Sequence, residues 1–129
     1  MDLITSPTDD QQKLLASLAK VKIIGKADFS SAVQIAQIAL KYRKNLTTGT
    51  RIIVFVGSPV TETPEELEAV AIKLKRNNIA LDVISIGELE HNQEKLIAFV
   101  NSVNKEDNRY LAFFTLLNTR FLNSTHRPN

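Results

Sequence analysis

The sequence predicts an α/β layered fold on a mostly parallel sheet, and three observations predict it. Short apolar runs at 52–56, 79–86 and 110–115 are rich in β-branched or aromatic residues, and the first two close on Gly57-Ser58-Pro59 and Gly87. Runs of that length with such boundaries are strands rather than helices. Between them lie segments of helical periodicity with their own start signals. The runs are apolar at successive positions, so both faces of each strand should be covered, as in a parallel sheet. Strand, helix, strand, helix, strand then means right-handed crossovers and layered packing.

Each helix can be justified in turn. Thr8 stands three residues ahead of Gln11, a reciprocal capping arrangement, and Leu14, Leu15 and Leu18 follow on one face. Ser31 and Gln34 repeat that arrangement and predict a helix running to about Lys44. Ala32, Val33, Ile35, Ala36, Ile38, Ala39 and Leu40 make it apolar on much of its circumference, so it should be largely buried. The third start has Thr63 to cap, Pro64 for the first helical position, and Glu65 and Glu66 at the positive end of the dipole. Leu67, Val70, Ala71 and Leu74 form its stripe, Lys73, Lys75 and Arg76 load its end, and Asn77-Asn78 stops it. The fourth helix is expected from Asn92, with Leu96, Phe99, Val100 and Val103 inward. Residues 104–109 are polar and 118–129 lack periodicity, so the expected organisation is one domain over 1–117 and a loose tail over 118–129.

Composition bounds the function. With 129 residues the chain fits one domain, and 43% hydrophobic against 23% charged residues excludes global disorder. The absence of cysteine removes disulfides, thiolate metal sites and thiol nucleophiles. A net charge of +2 is too small to argue for nucleic acid. The opening residues lack the basic start of a secretion signal, and no apolar run approaches the roughly 20 residues of a membrane span. A soluble intracellular chain is expected.

Candidate chemistry is thin. Ser58 stands where a strand turns toward a helix, but Val56-Gly57-Ser58-Pro59-Val60 is not the G-x-S-x-G elbow of a hydrolase. His91 and His126 have no recognisable orienting partner. No glycine-rich phosphate loop occurs, and Glu62, Glu65 and Glu66 would repel a phosphate at the third helix. The basic clusters Lys41-Tyr42-Arg43-Lys44 and Lys73, Lys75-Arg76 sit at helix C-termini, where cations complement the dipole. Asp82, inside a strand, is expected to be a partnered or end-of-sheet residue rather than a catalytic one.

Several blocks, in one order and at similar spacing, carry a resemblance. Gly25-Lys26, Phe29, the helix over 32–45, RIIVFVGSPV at 51–60, LKRNNIALDVISIGE at 74–88 and LIAFVNSVN at 96–104 resemble the von Willebrand factor A domain of the ubiquitin-receptor subunit family of the proteasome regulatory particle. The resemblance covers roughly residues 11–104. It implies a mostly parallel sheet with helices on both faces. It also implies a non-catalytic docking role between lid and base subunits, without cofactor, in cytoplasm and nucleus. In the family, ubiquitin is captured by helical motifs beyond this domain, acidic at their start with a central Ala-x-x-x-Ser. No such motif is expected here, and so no direct ubiquitin binding.

The chain also departs from the family. Domains of this kind open with a strand ending in an Asp-x-Ser-x-Ser loop; here Leu3-Ile4-Thr5 aligns with the third strand, so a shortened domain is expected. The segment after Arg109 does not resemble the family's closing strand. Related adhesion domains hold Mg²⁺ on the same fold, and Ser31 matches the position where they use Thr. Without the Asp-x-Ser-x-Ser loop, and with Gly57-Ser58 where an Asp ligand belongs, too few oxygens remain. Ser31 is expected to be a remnant of a lost metal site.

Overall fold

The computed structural model of the chain describes residues 2–103 and the backbone of 110–114. The elements run α1 (Gln11–Leu18), α2 (Phe29–Lys41), β1 (Thr50–Val56), α3 (Pro64–Arg76), β2 (Ile79–Ile86), α4 (Leu89–Val103) and β3 (Tyr110–Phe114). The expected tail at 118–129 lies outside the described residues. A strand does form after Arg109, although that segment does not resemble the family's.

Three helix starts differ from expectation, and each has a physical reason. Helix α1 is capped by Asp10, whose carboxylate accepts from the Lys13 amide; Thr8 instead accepts from the Asp10 amide one turn earlier. Helix α2 is capped by Asp28 and begins at Phe29, so the Ser31–Gln34 capping box does not form. An aspartate three residues ahead of Ser31 caps a start one turn earlier, by accepting from the Ser31 amide, and places a charge at the positive helix end. Helix α2 ends at Lys41 rather than Lys44. Helix α3 follows expectation: Thr63 and Glu66 form the reciprocal capping box with Pro64 at its start. Asn78, with φ 54, makes the turn into β2, a left-handed conformation that asparagine tolerates better than most residues.

Helix α4 starts at Leu89, three residues before the expected Asn92. Asn92 lies inside the first turn, its amide bonded to Glu88 O, and its side chain is fully buried. The side-chain Nδ2 donates to Ser58 O at 2.9 Å and Oδ1 accepts from the Val60 amide at 2.8 Å. A residue expected to open its own helix therefore holds a loop more than thirty positions away.

The sheet has the order β1-β2-β3 with both pairs parallel; Ile52 faces Leu81, Val54 faces Val83, and Val83 faces Leu111. Ile52 and Val56 join Leu81, Val83, Leu67, Val70, Leu74, Leu96, Phe99 and Val100 in one core. Phe29 of α2 meets Phe99 of α4 edge to face at 5.2 Å. Right-handed crossovers along a sheet whose strands follow in sequence order place α3 and α4 on the same face, and α2 packs beside α3.

The other face of β1 is bare among the described residues. Ile53 is 56% and Phe55 70% exposed, while their neighbours Ile52 and Val56 are buried. Successive apolar positions in β1 thus do not mean two covered faces, although β2, in the middle of the sheet, is buried along most of its length. Arg51 lies on the bare side and pairs with Asp82 through Nη1, at 2.8 and 2.7 Å to the two carboxylate oxygens; this is the partner expected for Asp82. Helix α2 is less buried than its composition suggests: only Phe29, Val33 and Gln37 are fully inside, and Ile38 is 53% exposed. In α1, Leu14, Leu15 and Leu18 are all exposed.

Two outcomes are expected. Asn92→Ala leaves a buried amide and carbonyl without partners and should cost about 2–3 kcal/mol, measured by denaturant unfolding; a loss under 0.5 kcal/mol would show that the loop re-forms its bonds elsewhere. The purified chain should associate with itself through its apolar strand edge. Light scattering at low micromolar concentration should show that association reduced by Phe55→Lys.

Candidate functional site

In a parallel α/β layer, the loops that follow the strands and the helix N-termini gather at one end, where such folds build their sites. Here that end holds Ser58 after β1, Gly87 and Glu88 after β2, and the starts of α2, α3 and α4. An open groove of about 650 Å³ lies there between α2 and α3, lined among others by Lys26, Asp28, Ser31, Glu62, Glu66 and Lys73.

The polar groups in this groove are largely spent on one another. Asp28 accepts from the Ser31 amide at 2.8 Å and from the Ser31 hydroxyl at 2.7 Å. Those bonds, the backbone one foremost, hold the Asp28 carboxyl below its ordinary value. Glu62 reaches back to accept from the Ser30 amide at 2.8 Å. The exposed amides at the start of α2, which elsewhere would suit a phosphate, are therefore already met by two carboxylates of this chain. Lys95 of α4 donates to Val60 O at 2.9 Å and Glu62 O at 3.0 Å, so α4 anchors the loop that carries Glu62.

The candidate residues are not brought into a catalytic constellation. Ser58 is exposed at the turn and its carbonyl is held by Asn92. His91 is exposed on α4, Asp82 is bound to Arg51 on the sheet's bare side, and His126 lies outside the described residues. The residues present do not fit the Mg²⁺ that related adhesion domains hold. The Ser31 hydroxyl is bonded to Asp28, and no group of three or more His, Cys, Asp or Glu side chains suited to a metal occurs among the described residues. No described helix is long and apolar enough to cross a membrane.

The Ala-x-x-x-Ser spacing does occur, at Ala98–Ser102 on the exposed side of α4 and at Ala27–Ser31 across the start of α2. Neither follows an acidic run: only Glu90 and Glu94 precede Ala98 within α4, and Ser102 donates back to Ala98 O at 2.9 Å.

Asp28, Glu62, Asn92 and Lys95 organise this end of the molecule and were not singled out as site residues. Asp28 was legible, being a strong cap three residues before Ser31. Glu62, Asn92 and Lys95 act across more than thirty positions, and no local pattern signals that.

Known proteins supply the family. No family model matches the chain. It is 46% identical over 110 residues to the 26S proteasome non-ATPase regulatory subunit 4 of Dictyostelium discoideum, covering 85% of this chain and 32% of that protein. It is 41% identical over 102 residues to the 26S proteasome regulatory subunit RPN10 of Saccharomyces cerevisiae, covering 79% of this chain and 38% of that protein. The chain thus spans about a third of the length of these curated relatives. The crystal structure of the SpRpn10 VWA domain superimposes with a TM-score of 0.80 at 36% identity, over 88% of this chain and 58% of that one. This chain has a partial von Willebrand factor A fold and is similar, over most of its length, to the 26S proteasome non-ATPase regulatory subunit 4 proteins.

Proposed function

We propose that this chain is a non-catalytic docking domain of the proteasome's regulatory particle, contacting lid and base subunits in cytoplasm and nucleus and serving ubiquitin-dependent degradation. The observation that carries the reading is the agreement of sequence and fold: 46% identity to a regulatory subunit over 85% of the chain, on a solved domain of the same family at a TM-score of 0.80. The groove supports it. Its carboxylates and serines are committed to capping α2, and a group already bonded in the ground state is poorly placed to serve a reacting atom. Ubiquitin recognition in this reading belongs to helical motifs other than the segments described here.

Regulatory particles stripped of their own subunit 4 should retain the tagged chain at sub-micromolar concentration, whereas labelled ubiquitin should show no saturable shift changes with micromolar chain. Failure of retention, with the chain folded by circular dichroism, would sink the docking reading. Calorimetry should show no saturable Mg²⁺ or Ca²⁺ binding below about 1 mM, since an octahedral oxygen cage needs several free oxygens converging. Saturable binding abolished by Ser31→Ala would reinstate a metal-dependent ligand site.

A further inference from the structure

The end opposite the groove is the more informative surface. There the C-termini of α2 and α3 meet the starts of β1 and β2, and a small cleft of about 70 Å³ brings Lys41, Arg43, Thr50, Asn77 and Ile79 together. No Asp or Glu occurs between Asp28 and Glu62, nor from 69 to 81. This end therefore carries Lys41, Arg43, Lys44, Lys75 and Arg76 with no acidic residue from those segments among them. The acids Asp28, Glu62, Glu65, Glu66, Glu88 and Glu90 lie at the other end. Among the described residues of these helices and loops, charge is sorted to two poles.

Complementing the helix dipoles accounts for Lys41, Lys75 and Arg76, which sit in last turns. It does not account for Lys44, which lies past the helix, nor for two large side chains held out among the cations. Tyr42 is 82% and Leu46 67% exposed. The loop that presents them is built rather than slack. Arg43 donates to Leu40 O, Asn45 O and Leu46 O, and the Asn45 side chain accepts from both the amide and the hydroxyl of Thr47. An exposed tyrosine and leucine on a fixed loop, with Lys41 and Lys44 beside them in sequence, have the anatomy of a protein interface: an amphipathic anchor and a charged rim. A nucleic-acid surface would instead show a longer basic track and several stacking rings.

We infer that this basic pole, centred on Tyr42 and Leu46, is the docking surface of the chain, and that its partner is a protein segment bearing Asp and Glu carboxylates around an apolar residue. The inference rests on the docking reading above and names its surface and the chemistry that fits it.

The test compares two charge reversals that alter net charge equally, Lys44→Glu in the pole and Lys13→Glu on α1, together with Tyr42→Ala. All three side chains are exposed, so each variant should fold. Affinity for subunit-stripped regulatory particles should fall about tenfold or more in Lys44→Glu and Tyr42→Ala and stay within about twofold in Lys13→Glu. In a second arm, polyglutamate should bind the unmodified chain at low salt, and Lys44→Glu should weaken that binding. Equal affinities across the variants would overturn the surface while leaving docking intact. If the unmodified chain is not retained by the particles, the docking reading fails, and the polyglutamate arm alone decides the surface. Single-stranded RNA binding more tightly than polyglutamate, with that binding lost in Tyr42→Ala, would make the pole a nucleic-acid surface and overturn the inference.

Discussion

The handedness of two crossovers decides most of this structure. Strands β1, β2 and β3 are parallel and follow one another across the sheet in sequence order. A right-handed connection between neighbouring parallel strands has one side on which to put its helix, so both crossovers place theirs on the same face. Covering the second face requires the strand order to reverse, which means a further strand on the free side of β1 followed by a helix beneath. Among the described residues no strand occupies that side. The exposure of Ile53 and Phe55 follows from that rule of chirality. The solved domain of the family is larger than this chain's match to it, which covers 58% of that domain.

The order of elements was legible because each strand and helix carries a local signature. Gly57-Ser58-Pro59 and Gly87 end the first two strands where expected, and the Thr63–Glu66 capping box forms as read. Boundaries failed where two local solutions competed. Ser31 with Gln34 and Asp28 with Ser31 both satisfy the start of a helix, and the charged cap won, lengthening α2 by a turn at its front. The burial of β1 failed for a different reason. An apolar run records which residues a strand tolerates, whereas coverage depends on what lies beside it in the sheet, a property of topology alone. The site was least legible, since Glu62, Asn92 and Lys95 act through loops brought near by the fold.

The same topology that leaves one face bare arranges the charges. Helices running antiparallel to a parallel sheet put all their N-termini at one end, and sequence preference at helix ends then sorts acids to that end and bases to the other. At the acidic end the sorted groups turn inward: Asp28 and Glu62 cap α2, and Lys95 spends its ammonium on two carbonyls. At the basic end Arg43 folds the loop, and the remaining cations face solvent.

The buried side chain of Asn92 has a consequence for motion. Its bonds to Ser58 and Val60 are the means by which the first turn of α4 and the loop after β1 hold each other, and Lys95 adds two more one turn along. Neither element can leave its place without stripping the other of partners, the buried Val60 amide among them. They therefore belong to one cooperative opening unit, and the Val60 amide exchanges with solvent only when the start of α4 unravels. The loop after β1 is thereby tied to the opening of a helix and does not move by itself.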